Sequence, residues 1–340
     1  MTACGQAKSE AQITTVDELL EQVKKDKVET PRPTHRQDMA AFALAQIFDP
    51  TNTPQGSSNF CTGTLEQGGL RICKMEPNSR VEIVKPAVLN PDGSALSYVY
   101  DEQHTRVTYA DKDGIVIYGF DRDAPKQIMI RVITPSGHKY KNQINIKPHK
   151  YAVSRIDGLP PSQVSTFTEA QLKRIRASSA RKKKGFASRQ KTMWFKDGFE
   201  YPLKEFKKTS PFGAQRILNG IKKKPHYGVD IAAPVGTPIY APADGVVSMA
   251  DDDLYFEGAM ILLDHGQGLI SMYLHVSAID VKPGQVVKRG EKIGEVGSRG
   301  RSTGPHLCWR LKWRNRHLDP ELLTKWPRQD LDNSEETQQE

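Results

Sequence analysis

The sequence predicts a mainly β protein in which two β bodies are joined by a basic helix. Three observations carry this. Short alternating apolar runs fill the stretch from Arg80 to Lys147, and a second strand-rich stretch runs from Trp194 to Leu323. Between them lies a single well-marked helical pattern. A chain of 340 residues is long enough for two cores, and a 37% hydrophobic content with 26 Gly and 22 Pro suits turn-rich β structure.

Along the chain, residues 1–75 read as a polar, partly helical extension. A weak apolar stripe of Leu19, Leu20 and Val23 marks one short helix over 16–28, ended by Pro31 and Pro33. A second short helix is expected over 39–48, stopped by Asp49-Pro50. Residues 76–150 are expected to form a small β-sandwich-like domain. Its strands include Val81–Val84, Leu96–Tyr100, Arg106–Tyr109, Ile115–Tyr118, Ile128–Ile133 and Gln143–Ile146, separated by turns such as Asn90-Pro-Asp-Gly93 and Asp111-Lys-Asp-Gly114. The carboxylates of 111–125 read as solvated turn residues, and no metal is predicted there.

Residues 151–193 form the linker. Its helix, 168–184, is capped by Thr168 with Gln171 three positions later as capping-box partner, and it ends in the run Arg181-Lys-Lys-Lys184. Without interleaved aromatics that run reads as a solvated helix face, so no nucleic-acid partner is predicted. Residues 194–328 are expected to be an all-β domain, with strands near Thr237–Tyr240, Gly245–Met249, Met260–Asp264, Ile270–Leu274, Gln285–Val287, Lys292–Val296 and Leu307–Leu311. The acidic tail 329–340 reads as disordered.

A net charge of +9 implies attraction to polyanions: nucleic acid, an anionic membrane surface or an anionic cell wall. Charge alone does not choose among them. No segment approaches the ~18 apolar residues needed to span a bilayer. Met1-Thr-Ala-Cys4-Gly5 resembles the end of a bacterial lipoprotein signal, where a small residue precedes the lipidated Cys; the other reading is an ordinary N-terminus with a chance Cys. Cys61 and Cys73 flank Gly68-Gly69, where the chain can double back, so a disulfide and a pair of free thiols both stand open.

The chemistry-bearing residues come in three groups. His226 and Asp230 are four apart, with Pro225, Gly228 and Val229 disfavouring a helix. In an extended strand they would lie ~13 Å apart, so the chain must bend, and Gly228 permits the bend. Tyr273-Leu-His275 ends an apolar strand, which aims His275 from the strand's end. His306 and Cys308 follow Gly304-Pro305 in a strand, and period-two geometry sends both to one face. Zinc catalysis needs three protein ligands and one open position, and these residue types suit it. His265 before Gly266 reads as a turn residue and His317 as a surface one; both are set aside.

Taken in order, these groups are similar to the lysostaphin-type zinc metallopeptidase domain. Further matches are Phe212-Gly-Ala-Gln-Arg-Ile-Leu-Asn-Gly220, Gly228-Val-Asp-Ile-Ala-Ala-Pro-Val-Gly-Thr237, Ala241-Pro-Ala-Asp-Gly-Val-Val247, Asp264-His-Gly266 and Gly297-Ser-Arg-Gly-Arg-Ser-Thr-Gly-Pro-His306. The resemblance implies an all-β metallopeptidase domain over 194–328 that cuts peptide cross-links of bacterial peptidoglycan. It implies Zn2+ held by His226, Asp230 and Cys308, the last standing where the family has His. His275 and His306 would orient the attacking water and stabilise the oxyanion. Arg216 would line the substrate groove, with a purely structural role equally open.

A thiolate ligates zinc well, but a second anion beside Asp230 makes the ion a weaker Lewis acid, so reduced or altered hydrolysis is expected. The competing class is a degenerate peptidoglycan-binding module or an activator of another cell-wall hydrolase. The substrate implies a periplasmic or cell-envelope location, with membrane attachment through a lipidated Cys4 as a further expectation.

Overall fold

The computed structural model describes residues 60–158 and 167–325. The helices expected over 16–28 and 39–48, the Cys4 motif and the tail 329–340 lie outside the described residues. Strand dominates throughout, as the alternating patterns predict.

The N-terminal body contains β1 (Phe60–Gly63), β2 (Leu70–Lys74), β3 (Arg80–Val84), β4 (Pro86–Leu89) and β5 (Ala95–Tyr98). It continues with β6 (Thr105–Tyr109), β7 (Ile115–Gly119), β8 (Gln127–Ile133) and β9 (Lys139–Asn145). One sheet has the order β1-β2-β7, a second β6-β3-β8-β9, and β4 and β5 form a hairpin. In β8, Ile128, Ile130 and Val132 are buried at alternate positions, the period that sends one face to a core. The turn before β7 is held by the Asp111 carboxylate, whose Oδ1 accepts from the N–H groups of Asp113 and Ile115.

Two boundaries differ from the sequence reading. β1 and β2 fall in the stretch expected to be an extension, yet β2 pairs along its whole length with β7. Their polar flanks and short length hide a hairpin made at Gly68-Gly69. In it Cys61 and Cys73 are opposed in register and joined by a disulfide. The linker, expected to be helical, begins with β10 (Val153–Ile156), which runs parallel to β12 (Gln215–Leu218) of the C-terminal body. Four residues with one partner far along the chain leave no periodicity to read.

The linker helix α1 (Glu169–Gly185) forms where expected. Thr168 Oγ1 accepts from the Gln171 N–H at 3.2 Å, and Gln171 Oε1 accepts from the Thr168 N–H at 2.8 Å, a capping box.

The C-terminal body is built from β11 (Lys207–Ser210), β12, β13 (Ile221–Lys222), β14 (Val229–Ala232), β15 (Pro238–Tyr240), β16 (Gly245–Leu254) and β17 (Gly258–Asp264). There follow β18 (Leu269–Leu274), β19 (Ala278–Ile279), β20 (Val286–Val287), β21 (Lys292–Glu295), β22 (Leu307–Trp313), β23 (Arg316–Leu318) and α2 (Pro320–Lys325). The main sheet has the order β11-β14-β22-β18-β17-β16-β20, with β23 on β22. β17 and β18 are buried at every position, so both sheet faces are covered.

One face, with Ile261, Leu263, Tyr273, Trp309 and Leu311, packs into the large common core. The other face carries Met249, Met260, Leu262, Ile270, Met272, Leu274 and Cys308. α1 covers this second face: Gly185 sits against Met249 and Leu262, and Arg181 pairs with Asp251 at 2.6 Å. Lys182 pairs with Glu257, and Arg174 with Asp253 at 2.8 Å. Part of the basic run is thus docked on an acidic hairpin rather than wholly solvated.

Candidate metal centre

Three strands and one bend assemble the centre. β14 lies between β11 and β22, and its register puts Asp230 directly opposite Cys308; β18, on the other side of β22, puts Leu274 opposite the same Cys308. Cross-strand neighbours have Cβ atoms ~5 Å apart, so Asp230 and Cys308 meet by pairing alone. His226 precedes β14 and is brought back by hydrogen bonds from its N–H to the Ala214 carbonyl and from Gly213 N–H to its own carbonyl.

Gly228 is needed here for space. A Cβ on it would lie 2.5 Å from Arg310 Cγ and 2.9 Å from the Trp309 carbonyl oxygen, and its φ is not in the left-handed region. The sequence reading credited Gly228 with bending freedom; the close approach of β22 is what excludes a side chain.

His226 Nε2 lies 3.2 Å from Cys308 Sγ and 3.0 Å from Asp230 Oδ1. The donor atoms of His226, Asp230 and Cys308 all lie within 4.8 Å of one another, and all three residues are buried. Ligands around a tetrahedral zinc ion, with bonds of ~2.0–2.3 Å, have donor atoms roughly 3.3–3.7 Å apart. Among the described residues, Asp230 Oδ1 is buried and has no hydrogen-bond partner, although His226 Nε2 lies 3.0 Å away as an ion-pair contact. An orphaned carboxylate oxygen in a protein interior calls for a cation. Imidazole, carboxylate and thiol together suit zinc, so the residues present fit that ion.

The surroundings set the protonation states. Burial pushes the Asp230 carboxyl upward, but His226, His306 and Cys308 outweigh it and hold the group well below the usual carboxylate range. Burial lowers the His226 pKa despite the pull of Asp230, which favours the neutral ring that a metal requires. Burial also pushes the Cys308 thiol up to about 12, against the opposing influence of Arg310.

His275 and His306 stand beside this group, their ring centroids 4.9 Å apart, and His306 Nε2 is 3.8 Å from Asp230 Oδ1. His275 Nδ1 is 2.8 Å from the Arg299 carbonyl oxygen and His306 Nδ1 is 2.8 Å from the Gly304 carbonyl oxygen. A carbonyl only accepts, so each Nδ1 carries the hydrogen and each Nε2 is left as an acceptor. Burial lowers the His275 pKa to about 4, which keeps the ring neutral at pH 7. Arg216, on β12, places Nη2 3.3 Å from Asp230 Oδ2 at the half-exposed edge of the centre.

The five residues singled out in sequence therefore converge, with Arg216 beside them. Two partners escaped notice there. Ser210 Oγ lies 3.2 Å from His226 Nδ1, which orients the ring with Nε2 inward. Arg310 Nε donates to Cys308 Sγ at 3.2 Å. Position i+2 on the same strand was the available signal for Arg310, whereas Ser210 arrives from another strand and left none.

Of the two histidines set aside, His265 lies in the connection between β17 and β18 as expected, while His317 departs from its surface reading. His265 is fully buried, its Nδ1 donating to the Asp244 carbonyl at 2.7 Å and its Nε2 2.7 Å from Ser271 Oγ. It is a core hydrogen-bonding residue. His317, read as a surface residue, stacks on Tyr227 with centroids 4.4 Å apart, and its Nδ1 is buried. β23 pairs with β22 there and draws the ring inward.

Comparison with known proteins agrees with this geometry. Residues 224–320 match the model of peptidase family M23. Peptidoglycan DD-endopeptidase ShyA of Vibrio cholerae is 43% identical over 121 residues, which cover 35% of this chain and 28% of that protein. DD-carboxypeptidase/endopeptidase Mpg of Neisseria meningitidis serogroup B is 38% identical over 133 residues, 38% of this chain and 30% of that protein. The matched stretch thus spans less than a third of either relative. A crystal structure of an M23-class protein from Pseudomonas aeruginosa superposes with a TM-score of 0.54 at 27% identity, over 76% of this chain and 95% of the other. The C-terminal body thus carries a peptidase family M23 domain over residues 224–320.

Proposed function

We propose that the protein is a zinc-dependent endopeptidase that cleaves peptide cross-links of bacterial peptidoglycan. The observation that carries this is the convergence of His226, Asp230 and Cys308 around an unpartnered carboxylate oxygen, in a domain of this family. His226 Nε2, an Asp230 oxygen and Cys308 Sγ would hold the ion. When bound, zinc supplies Lewis acidity, lowering the pKa of water and polarising the scissile carbonyl.

The remaining work falls to the chain. Asp230 is already anionic and His226 already neutral, whereas Cys308 must shed its thiol proton to ligate. The Arg310 guanidinium, hydrogen-bonded to Sγ, offsets the negative charge that the thiolate adds. His275 and His306, with Nδ1–H committed to carbonyls, accept a proton from the attacking water only at Nε2. The imidazolium so formed can donate to the developing oxyanion or return the proton to the leaving amine. A second anionic ligand reduces Lewis acidity, so hydrolysis is slower than with three-ligand sets carrying one anion.

The test is digestion of purified sacculi with separation of the released muropeptides, alongside metal analysis. About one zinc per chain and release of cross-link fragments, abolished by a chelator, are expected. No stoichiometric zinc, or release only after Cys308→His, would instead support a wall-binding module or an activator of another hydrolase. The substrate supports a cell-envelope location, as does the Cys61–Cys73 disulfide, which belongs to oxidising compartments. Attachment through a lipidated Cys4 is part of the same proposal.

A further inference from the structure

We infer that the cleft between the two β bodies is a second binding site, for the glycan strand of the peptidoglycan. The inference rests on the peptidoglycan reading above and extends it to a different surface. The cleft encloses about 1450 Å3 and is walled on one side by β6 and the turn before β7, on the other by residues 189–198 and the start of β18. Pockets for single small molecules are typically ~300–1,000 Å3, so this volume suits a stretch of polymer.

Its chemistry fits an acidic saccharide. Tyr109, 56% exposed, and Trp194 contribute aromatic faces from opposite bodies, and such faces pack against the C–H faces of sugar rings. Among the described residues, seven Lys and Arg side chains line the cleft against four Asp, so the lining favours an anion. Lys191 and Lys196 are exposed there and have no carboxylate partner among the described residues.

Arg314 fastens the two walls, donating to the Val107 carbonyl at 2.9 Å and to Thr108 Oγ1 at 3.0 Å. A glycan strand offers ring faces and hydroxyl acceptors together, with sparse negative charge from those lactyl carboxylates that carry no stem peptide. A nucleic acid offers a denser charge than an excess of three cations would match.

The cleft and the metal centre stand at opposite ends of β18. Gly268 lines the cleft and His275 follows the other end, a separation of roughly 20 Å along the strand. An extended peptide of about six residues covers that distance, so a stem peptide is of the right length to relate a strand in the cleft to a cross-link at the centre.

The experiment measures binding of end-labelled, peptide-free glycan strands to the zinc-loaded full chain by fluorescence anisotropy, for wild type and for Tyr109→Ala/Lys196→Glu. Both substituted residues are exposed and outside the metal centre. The double variant is expected to bind at least ten-fold more weakly and to digest intact sacculi more slowly. Its zinc content and its cleavage of a small soluble cross-linked muropeptide should match wild type. Equal affinities, or preference of the wild type for single-stranded DNA of equal length, would overturn the assignment. The readouts are separable: strand binding without any cleavage upholds the cleft and sinks the endopeptidase reading. Cleavage of sacculi without strand binding does the reverse.

Discussion

His275 is held at φ 68°, in the left-handed region that a non-glycine residue enters at a cost of about 1–2 kcal/mol. Its N–H donates to the Glu257 carbonyl at 3.1 Å and its Nδ1 to the Arg299 carbonyl, so the strained turn is fixed from two sides. Asn tolerates this backbone better than most residues. His275→Asn is therefore expected to change stability by less than about 1 kcal/mol while cutting sacculus hydrolysis at least ~100-fold. Urea unfolding beside a digestion assay checks this; large destabilisation with activity retained would contradict it.

Asp230 is the clearest test of the ligand set, because its orphaned oxygen needs a cation. Asp230→Asn should lose stoichiometric zinc and at least ~100-fold of hydrolysis, and because the native site favours the ionised carboxylate and pairs it with Arg216, the metal-free variant should also be less stable than wild type at pH 7. Metal analysis and chemical denaturation in chelator decide this. Cys308→His should keep its zinc and cleave faster than the parent. At this scale the sequence was legible. The ordered motifs shared with the lysostaphin-type family grouped His226, Asp230, His275, His306 and Cys308, each of which lies at or beside a strand end. Ser210 and the carbonyls of Arg299 and Gly304 were not legible, since their roles depend on which strands become neighbours.

Among the elements, α1 and the β16–β17 hairpin form a unit next to the centre. Gly185 is buried, and a Cβ there would lie 2.8 Å from both Met249 Cβ and Leu262 Cδ1. Gly185→Val overpacks that contact and is expected to cost roughly 1–3 kcal/mol. The loss should appear as a lower denaturation midpoint with zinc content intact. An unchanged midpoint would show that the helix does not depend on this contact. The helix itself was readable from Thr168 and Gln171, because a capping box is local chemistry. Its docking on Asp251 and Glu257 was not, since charge runs carry no address. Likewise β1, β2 and β10 went unread: short strands with polar flanks acquire identity only from distant partners.

For the molecule as a whole, buried neutral histidines govern acid stability. Burial lowers the pKa of His265 to about 4 and of His317 to about 3, against about 6.5 in the unfolded chain. Below 6.5 the unfolded state takes up protons that the native state refuses, so stability is fully present above pH 6.5 and is lost as pH falls toward 4. His265 alone contributes ~3 kcal/mol to this loss. Asp319, raised by burial to about 6, works in the opposite direction, gaining stability as it protonates below pH 6. The two histidines outweigh it. Metal-stripped protein should show a falling urea midpoint between pH 6.5 and 4.5; a flat profile would refute the ledger. Removing the disulfide with Cys61→Ser/Cys73→Ser should cost about 2–3 kcal/mol, read as a lower midpoint in the same assay.

From sequence alone came the β class, the capped linker helix and the set of candidate metal-ligating residues. Each follows from local rules, namely alternation, capping and spacing, or from an ordered motif. Tertiary structure alone decided the disulfide, the true extent of the N-terminal body, the burial of His265 and of His317 Nδ1, and the orphaned Asp230 oxygen. It also made the cleft between the bodies. All of these depend on which surfaces meet, and that is set by strand register and packing across long stretches of chain.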